Sequence, residues 1–369
     1  MFNTFHLYKN RIIHLIQKMG YIFGMAQFVA LVGASLLVTN SPIQAQDVQF
    51  SQFYSAPLYL NPAFTGSTKF TRVGSNYRSQ WPALQANFIT IAAYADIYID
   101  DKNSGVGFLI QTDKEGLAGL RSTNFSGFYA YQLSISKDYT IRVGASGGYV
   151  LRDINFSNLT FGDQYDANGF ISGPTAEQFD TGAQKGYFDM TLGALLYSQN
   201  AWLGVSNSHT TQPNQSLIGQ ESRLPMKWSV HGGYKFFLRS GVIDHGAYAE
   251  TQERSLAPTF QYKRQGRFNQ LDLGLYFTFE PIVIGAWYRG FPFTKVSDFT
   301  NNEAIVFLLG YSKKNKDNIL NIGYSYDVTI SKLGASSGGA HEFSISYAWF
   351  TGDPRKPPKN VRLIPCPDF

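Results

Sequence analysis

Histidine and serine are the residues of this chain with the clearest capacity for chemistry. Four histidines follow residue 45, at His209, His231, His245 and His341. None has the spacing to another His or to Cys that a zinc site uses. Ser229 and His231 share one face of a predicted strand, and a Ser-His-acid triad is defined by geometry rather than by spacing. A barrel hydrolase is therefore one hypothesis, and a polar pair facing a lumen is the alternative.

Other motifs for catalysis or cofactor binding are not supported by their context. Gly105-Val106-Gly107 lies in a predicted strand and lacks the following helix that a dinucleotide site needs. The formal net charge is +5, but residues 1–45 contain three bases and no acid, and the rest of the chain has only two more bases than acids. Such a small excess does not favour nucleic-acid binding. We expect a non-enzymatic protein with no metal, no cofactor and no nucleic-acid partner.

The elements that position these residues are predicted to be β-strands. Five segments alternate apolar and polar residues, at 139–152, 226–238, 270–279, 320–327 and 343–349. In the third, Leu271, Leu273 and Leu275 face one side and Asp272 and Gly274 the other. Apolar residues two apart scatter around a helix but form one face of a strand. The pattern therefore predicts an all-β fold, either a membrane barrel or a soluble sandwich.

The N-terminus favours the membrane barrel. Lys9, Arg11 and Lys18 precede an apolar stretch over 21–38, and Ile43-Gln44-Ala45 follows. This arrangement is typical of a signal peptide, here residues 1–45, cleaved before Gln46. No later stretch has the roughly 20 consecutive apolar residues of a membrane helix. A closed barrel is the other structure that can span a bilayer.

Composition supports the same interpretation. Aromatic residues make up 16% of the chain, with 30 Phe and 23 Tyr, yet the mean hydropathy is only −0.18. Transmembrane barrels have this character because outward residues meet lipid, inward residues are polar, and aromatic girdles lie at both interfaces. The sequence therefore predicts an antiparallel barrel in the outer membrane over residues 70–350.

The spacing of the segments predicts about fourteen strands with both termini in the periplasm. The predicted strands are 70–80, 87–98, 104–112, 122–135, 139–152, 186–197, 201–209, 226–238, 256–264, 269–279, 281–290, 303–311, 319–328 and 340–350. Short and long gaps alternate, as in bacterial barrels with short periplasmic turns and longer outer loops. The long gaps include Asp113–Arg121 and Phe291–Asn302. Arg239–Ser255 breaks the alternation, because a short turn is expected there.

Residues 46–69 precede the first predicted strand and are rich in aromatic side chains. Pro57 and Pro62 exclude a regular strand or helix interior. Starting at the periplasmic mouth, the segment is expected to fold into the lumen as a plug, and a disordered leader is the alternative. The candidate plug residues are Phe50, Phe53, Tyr54, Tyr59 and Phe64.

Residues 351–369 extend the chain past the last strand. This tail has five of the 15 prolines and four basic residues, and proline-rich segments favour extended conformations that suit docking. It is either a solvated extension or a periplasmic handle for a partner. The candidate partner-binding residues are Arg362, Leu363, Ile364, Pro365 and Cys366. Cys366 is the single cysteine, so its thiol is either a spectator or a site of intermolecular pairing.

Six short motifs carry a resemblance to a known family. They are QFSQF at 49–53, LYLNPAF at 58–64, RSQW at 78–81, FGDQ at 161–164, GAHEF at 339–343 and RLIPCP at 362–367. With these motifs the chain resembles the PorP/SprF family of outer-membrane proteins of the type IX secretion system. The resemblance covers nearly all of 46–369, and the tail is similar to that of the gliding-linked SprF branch.

The resemblance implies partners as well as a location. It implies a non-enzymatic barrel held in outer-membrane lipid that partners and anchors secreted adhesins with a type IX C-terminal domain. It also implies contacts with periplasmic components of the secretion and gliding machinery. The alternative function belongs to a different functional class: passive transport of small or apolar solutes through the barrel.

Overall fold

The fold is described here from a computed structural model. It describes residues 47–68, 70–155, 159–166, 169–171, 173, 175–176, 184–217, 221–243, 250–296, 299–315, 317–331, 334–351 and 364–367. The predicted signal peptide, His245 and the tail residues Arg362 and Leu363 lie outside these ranges. No helix in the described part is long and apolar enough to cross a membrane.

Fourteen long strands form the wall within the described part of the chain. They are β1 Thr71–Gln80, β2 Phe88–Ile99, β3 Ser104–Glu115, β4 Leu120–Ser134, β5 Thr140–Asp153, β6 Gln184–Tyr197 and β7 Ala201–Ser208. The second half adds β8 Lys227–Tyr234 with Phe236–Ile243, β9 Glu250–Gln265, β10 Phe268–Phe279, β11 Ile282–Val296, β12 Phe299–Lys314, β13 Asn318–Thr329 and β14 Ala340–Trp349. The two segments of β8 lie on the same edge of β9. A separate two-stranded ladder joins Tyr165–Asp166 to Gly169–Phe170.

The wall closes into a single antiparallel barrel. Each strand pairs with its neighbours in the chain, and β1 pairs with β14, with Thr71 opposite Trp349 and Gln80 opposite Ala340. This closing pair confirms the prediction that the first and last strands are neighbours. Closure matters because an unpaired strand edge in a bilayer would leave backbone groups without hydrogen bonds.

The barrel has two distinguishable ends. The terminal end is the one where Thr71 and Trp349 lie, and it carries the connections 100–103, 135–139, 198–200 and 280–281. The loop end is the opposite one, with the connections 81–87, 116–119 and 266–267. The three longest stretches between consecutive wall strands, 154–183, 209–226 and 330–339, all separate strand ends that lie at the loop end.

Three predicted gaps are shorter than the sequence suggested. Asp113–Arg121, Arg239–Ser255 and Phe291–Asn302 consist largely of strand, because β3, β8 and β11 and their partners continue into them. Backbone hydrogen bonds can extend a hairpin even where its side chains no longer alternate between apolar and polar. The second segment of β8 shows this, since it pairs with β9 after the pairing of β7 has ended opposite Tyr234.

Inward and outward faces follow the sequence pattern. On β10, Leu273 and Leu275 are exposed on the outside, whereas Asp272 and Tyr276 are buried inside. Many large apolar side chains line the outer surface in this way, a surface that would aggregate in water and that suits lipid. The outward face therefore meets the bilayer.

Replacing an outward residue with a base should impair assembly. Leu275→Arg or Ile322→Arg introduces charge on the lipid face, where a base near the bilayer midplane costs roughly 2–4 kcal/mol. We expect less protein in the outer membrane and less of the heat-modifiable folded form on gels.

The inward control for this experiment must avoid packed positions. Gly274→Ser and Ser325→Asn look tolerable in sequence, but a Cβ at Gly274 would lie 2.7 Å from the Trp287 Cβ. Ser325 Oγ accepts a hydrogen bond from Gln52 Nε2 at 3.2 Å. Ser122, which lines a cavity in the lumen, is the better control as Ser122→Asn. Equal assembly of the Leu275 and Ser122 variants would show that the facing assignment is wrong.

Candidate functional site

The interior of the barrel is occupied by residues 47–68, here called the lumen segment. At its start, Asp47 pairs with Lys227 Nζ at 2.7 Å, at the loop end. Near its finish, the Gly66 N–H donates to Asp96 Oδ2 at 2.7 Å, close to the terminal end. The segment thus runs the length of the lumen and enters β1.

Two prolines shape the lumen segment. Pro57 begins the short helix α1, Pro57–Leu60, and Pro62 begins the 3₁₀ turn Pro62–Phe64. Proline suits a first helical position because its φ is preset and its missing N–H would have no partner there. Asn61 caps the second turn, since its side chain accepts a hydrogen bond from the Ala63 N–H at 2.9 Å. The chain is thereby folded compactly enough to fit inside the wall.

All five candidate plug residues lie in the lumen. Phe50, Phe53, Tyr54 and Phe64 are buried, and Tyr59 is half-buried with its ring 5.2 Å from that of Phe50. Tyr54 accepts a hydrogen bond from Trp202 Nε1 at 2.8 Å. Phe53 packs edge-on against Trp287, with ring centroids 6.1 Å apart. These contacts bury the aromatic side chains that would otherwise be exposed at the mouth.

The LYLNPAF motif fastens the segment to the wall. Asn61 Nδ2 donates to the carbonyl oxygens of Ala194 and Val205 at 3.1 and 3.0 Å. Arg142 Nε donates to the Ala63 carbonyl at 2.8 Å. A Cβ at Gly193 would clash with Asn61, so glycine there permits the close approach. The motif is therefore a docking element for the barrel interior.

A buried charge cluster holds the QFSQF motif. The Ser51 and Gln52 N–H groups donate to the Glu342 carboxylate at 2.6 and 3.1 Å. Ser51 Oγ donates to Asp327 Oδ2 at 2.6 Å. Arg78 and Arg289 reach the same Asp327 oxygen at 3.0 and 2.9 Å. Buried carboxylates of this kind are stabilised by paired bases and by backbone donors.

Sequence reasoning did not assign these charged residues a role. Arg78 and Glu342 lie in the RSQW and GAHEF motifs, which served only as marks of resemblance. Their positions in the sequence could have indicated a buried ion cluster. Arg78, Asp327 and Glu342 occupy inward positions of strands, and a charge that is buried inside the barrel needs a partner there. Which charges meet across the lumen depends on the register and on closure.

A second polar group anchors the start of the lumen segment at the loop end. His209 lies between two carboxylates, with Nε2 2.5 Å from Asp47 Oδ2 and Nδ1 2.7 Å from Asp189 Oδ2. Burial lowers the pKa of His209, but the carboxylates outweigh burial and raise it to about 9. A cavity of about 130 Å³ lies beside this group.

Removing His209 should weaken the docking of Asp47 in a pH-dependent way. The folded pKa of about 9 exceeds the ordinary value of about 6.5. The stabilisation is therefore fully present below about pH 6.5 and is lost as pH rises through about 9. His209→Gln should lower barrel stability by on the order of 2–3 kcal/mol at pH 6 and by little at pH 10. The temperature of the heat-induced gel shift measures this, and an equal loss at both pH values would contradict it.

His231 and Ser229 are both buried in the wall. The His231 ring stacks on Phe64, with centroids 5.5 Å apart, and its Nε2 lies 3.3 Å from Asn61 Nδ2. Ser229 Oγ accepts from Gln261 Nε2 at 3.4 Å. The His231 ring is thus part of the seat of the lumen segment. Among the described residues, no three His, Cys, Asp or Glu side chains are placed to hold a metal ion.

The end of the tail also lies inside the barrel. Ile364 and Cys366 are partly buried against an apolar cluster that includes Tyr54, Trp202 and Tyr276. Pro365 and Pro367 are buried. Two separate pieces of the chain, the lumen segment and Ile364–Pro367, therefore contribute to filling the barrel.

The closed wall, the apolar outer face and the occupied lumen define an outer-membrane β-barrel with an internal plug. The family model described as the type IX secretion system membrane protein PorP/SprF matches residues 43–347. The chain belongs to this family and is a protein of the outer membrane. Neither the family nor this class of barrel is an enzyme class.

Solved structures similar to this chain are outer-membrane barrels of other kinds. The toluene transporter TodX of Pseudomonas putida is 10% identical, with a TM-score of 0.43, over 82% of this chain and 95% of TodX. The toluene transporter TbuX of Ralstonia pickettii is 9% identical, with a TM-score of 0.43, over 80% of this chain and 93% of TbuX. No curated relative matches the chain.

Proposed function

We propose that this protein is a non-enzymatic adaptor of the type IX secretion and gliding machinery. It partners and anchors secreted adhesins that carry a type IX C-terminal domain, and it contacts periplasmic components. The observation that carries the proposal, beyond the family, is the filled lumen. An interior fastened at both ends by buried polar contacts suits a scaffold better than a conduit.

The two ends of the barrel suit different partners. Both ends of the strand array lie at the terminal end, which we assign to the periplasm because bacterial barrels return their termini there. The connections 154–183, 209–226 and 330–339 would then lie outside the cell. Loops carried by a rigid wall are common binding surfaces, so these three are the proposed contacts for the adhesin.

The tail is the proposed contact for periplasmic machinery. Arg355, Lys356, Lys359 and Arg362 would attract an acidic partner, with an association rate that falls as salt rises. Leu363 supplies an apolar side chain beside them. We assign the protein to the SprF-like branch because of this tail.

Truncation after Gly352 should abolish the function of the tail without preventing the barrel from folding. The wall and the lumen segment remain, so the protein should still reach the outer membrane in a heat-modifiable form. Surface display of the adhesin should fall to background, because the machinery contact is lost. Whole-cell immunolabelling of the adhesin measures display. Display at the wild-type level would remove the tail from the mechanism and leave the outer loops as the contacts.

Passive transport of small or apolar solutes is the competing function. It requires a continuous path through the lumen. The cavity at the loop end is the feature that favours it, and the lumen segment, with Ile364–Pro367 at the other end, opposes it. The conductance of the intact protein in planar bilayers distinguishes passive transport from the proposed adaptor function.

A further inference from the structure

We propose that the terminal end of the lumen is a docking pocket for a proline-containing peptide, and that the chain's own residues Ile364–Pro367 occupy it reversibly. The pocket is formed by the wall together with the lumen segment. Its occupant is the end of the tail, so one part of the chain acts as a ligand for another.

Aromatic side chains form the pocket. Trp202, Tyr276 and Trp287 come from the wall, and Phe53 and Tyr54 come from the lumen segment. The rings meet mostly at steep angles, such as 73° between Tyr54 and Trp202. This arrangement presents ring faces and edges to whatever packs against them. Ile364 and Cys366 pack against this cluster.

The chemistry of the pocket suits an extended segment rich in proline. Proline has no backbone N–H, so Pro365 and Pro367 can be buried without leaving a donor unsatisfied. Aromatic side chains of the cluster, among them Trp202 and Tyr276, provide apolar surface for such a segment. Aromatic-lined grooves are a recurring way to bind proline-rich peptides.

Seating of the tail is coupled to the plug. Phe53 and Tyr54 belong to the lumen segment and to the cluster that holds Ile364. A seated tail therefore covers the lumen segment at the terminal end, and release would expose two of its aromatics. Residues 352–363 join Thr351 to Ile364, so the peptide stays tethered at an effective concentration of about a millimolar, as for short linkers.

If docking is reversible, the end of the tail is either in the pocket or bound to a periplasmic partner, and it cannot be in both places. Ile364 cannot contact the pocket and a periplasmic partner at once, so a partner that binds the end of the tail must first draw it from the barrel. This last step rests on the proposed function, whereas the pocket and its occupant do not.

Cys366 is the single cysteine, so the full-length protein reports on docking directly. In detergent micelles, alkylation of Cys366 by a maleimide should be at least tenfold slower than that of a Ser136→Cys thiol in a Cys366→Ser background, because Ser136 lies in an exposed turn. Ile364→Asp should raise the Cys366 rate close to that control. An initial Cys366 rate equal to the control would show that the segment is not seated.

Competition tests the pocket itself. A peptide of residues 361–369 carrying Cys366→Ser, at a concentration about five times the millimolar effective concentration, should displace the tail from roughly five of six pockets and raise the Cys366 rate saturably to about four-fifths of the control rate. The same peptide carrying Ile364→Asp should have no effect. Slow alkylation that does not respond to the first peptide would overturn exchangeable docking. The assay contains no secretion partner, so a failure of adhesin display and a failure of docking are separate results.

Discussion

Deleting residues 47–66 should convert a closed barrel into a conducting pore. The lumen segment touches the wall through Glu342 and Asp327 on the neighbouring strands β14 and β13, and through Arg142 on β5 and Trp202 on β7. Without it, the inward polar side chains would face water. Barrels of somewhat greater strand number leave an aqueous channel when their lumen is not filled. Planar-bilayer recordings should show steady conductance from the deletion variant and only closed baselines from the intact protein.

The tail provides a matched variant for this experiment. The deletion removes Phe53 and Tyr54 from the seat of Ile364 but leaves Trp202, Tyr276 and Trp287 of the wall. Combining the deletion with truncation after Gly352 should therefore raise the conductance further, because the truncation removes the remaining tail from the terminal end. Heat-modifiable migration on gels checks that each variant still forms a barrel. Steady large conductance from the intact protein would favour the passive-transport function. A deletion variant that assembles but stays closed would show that the lumen segment is not the plug.

Arg289→Met should destabilise the barrel strongly, because Arg289 links two buried carboxylates of the wall. The Arg289 side chain is fully buried, with Nη1 2.9 Å from Asp327 Oδ2 and Nε 3.4 Å from Asp272 Oδ1. Removing one partner of a buried ion pair leaves an uncompensated charge and typically costs roughly 3–5 kcal/mol. The temperature of the heat-induced gel shift should fall markedly.

An exposed pair gives the control for the buried cluster. Arg121 lies 3.1 Å from Asp153, but its side chain is 55% exposed, and exposed pairs contribute about 0–1 kcal/mol. Arg121→Met should therefore have little effect. Adding Asp272→Asn to Arg289→Met should recover part of the loss, because Asp272 loses its nearest base, whereas Asp327 keeps Arg78 at 3.0 Å. Equal effects of the two arginine variants would show that the buried cluster does not stabilise the barrel.

The strands and their faces could be predicted from the sequence because they depend on local pattern. Leu273 and Leu275 alternate with Asp272 and Gly274, and a period of two residues places them on opposite faces. The number of strands and the pairing of β1 with β14 follow from the same pattern and from closure. The predicted strands end too early at Asp113–Arg121 and Phe291–Asn302, because backbone pairing continues beyond the point where the side chains stop alternating between apolar and polar.

The aromatic content of residues 46–69 indicated a plug, but its path and its partners were decided by the tertiary structure. Asp47 meets His209 and Ser51 meets Glu342 across sequence separations of 162 and 291 residues. Such contacts depend on strand register and on which wall positions face one another across the lumen, and neither has a local signature. The seat of Ile364 beside Tyr54 is of the same kind, because two segments with no pattern in common meet only once the barrel has closed around them.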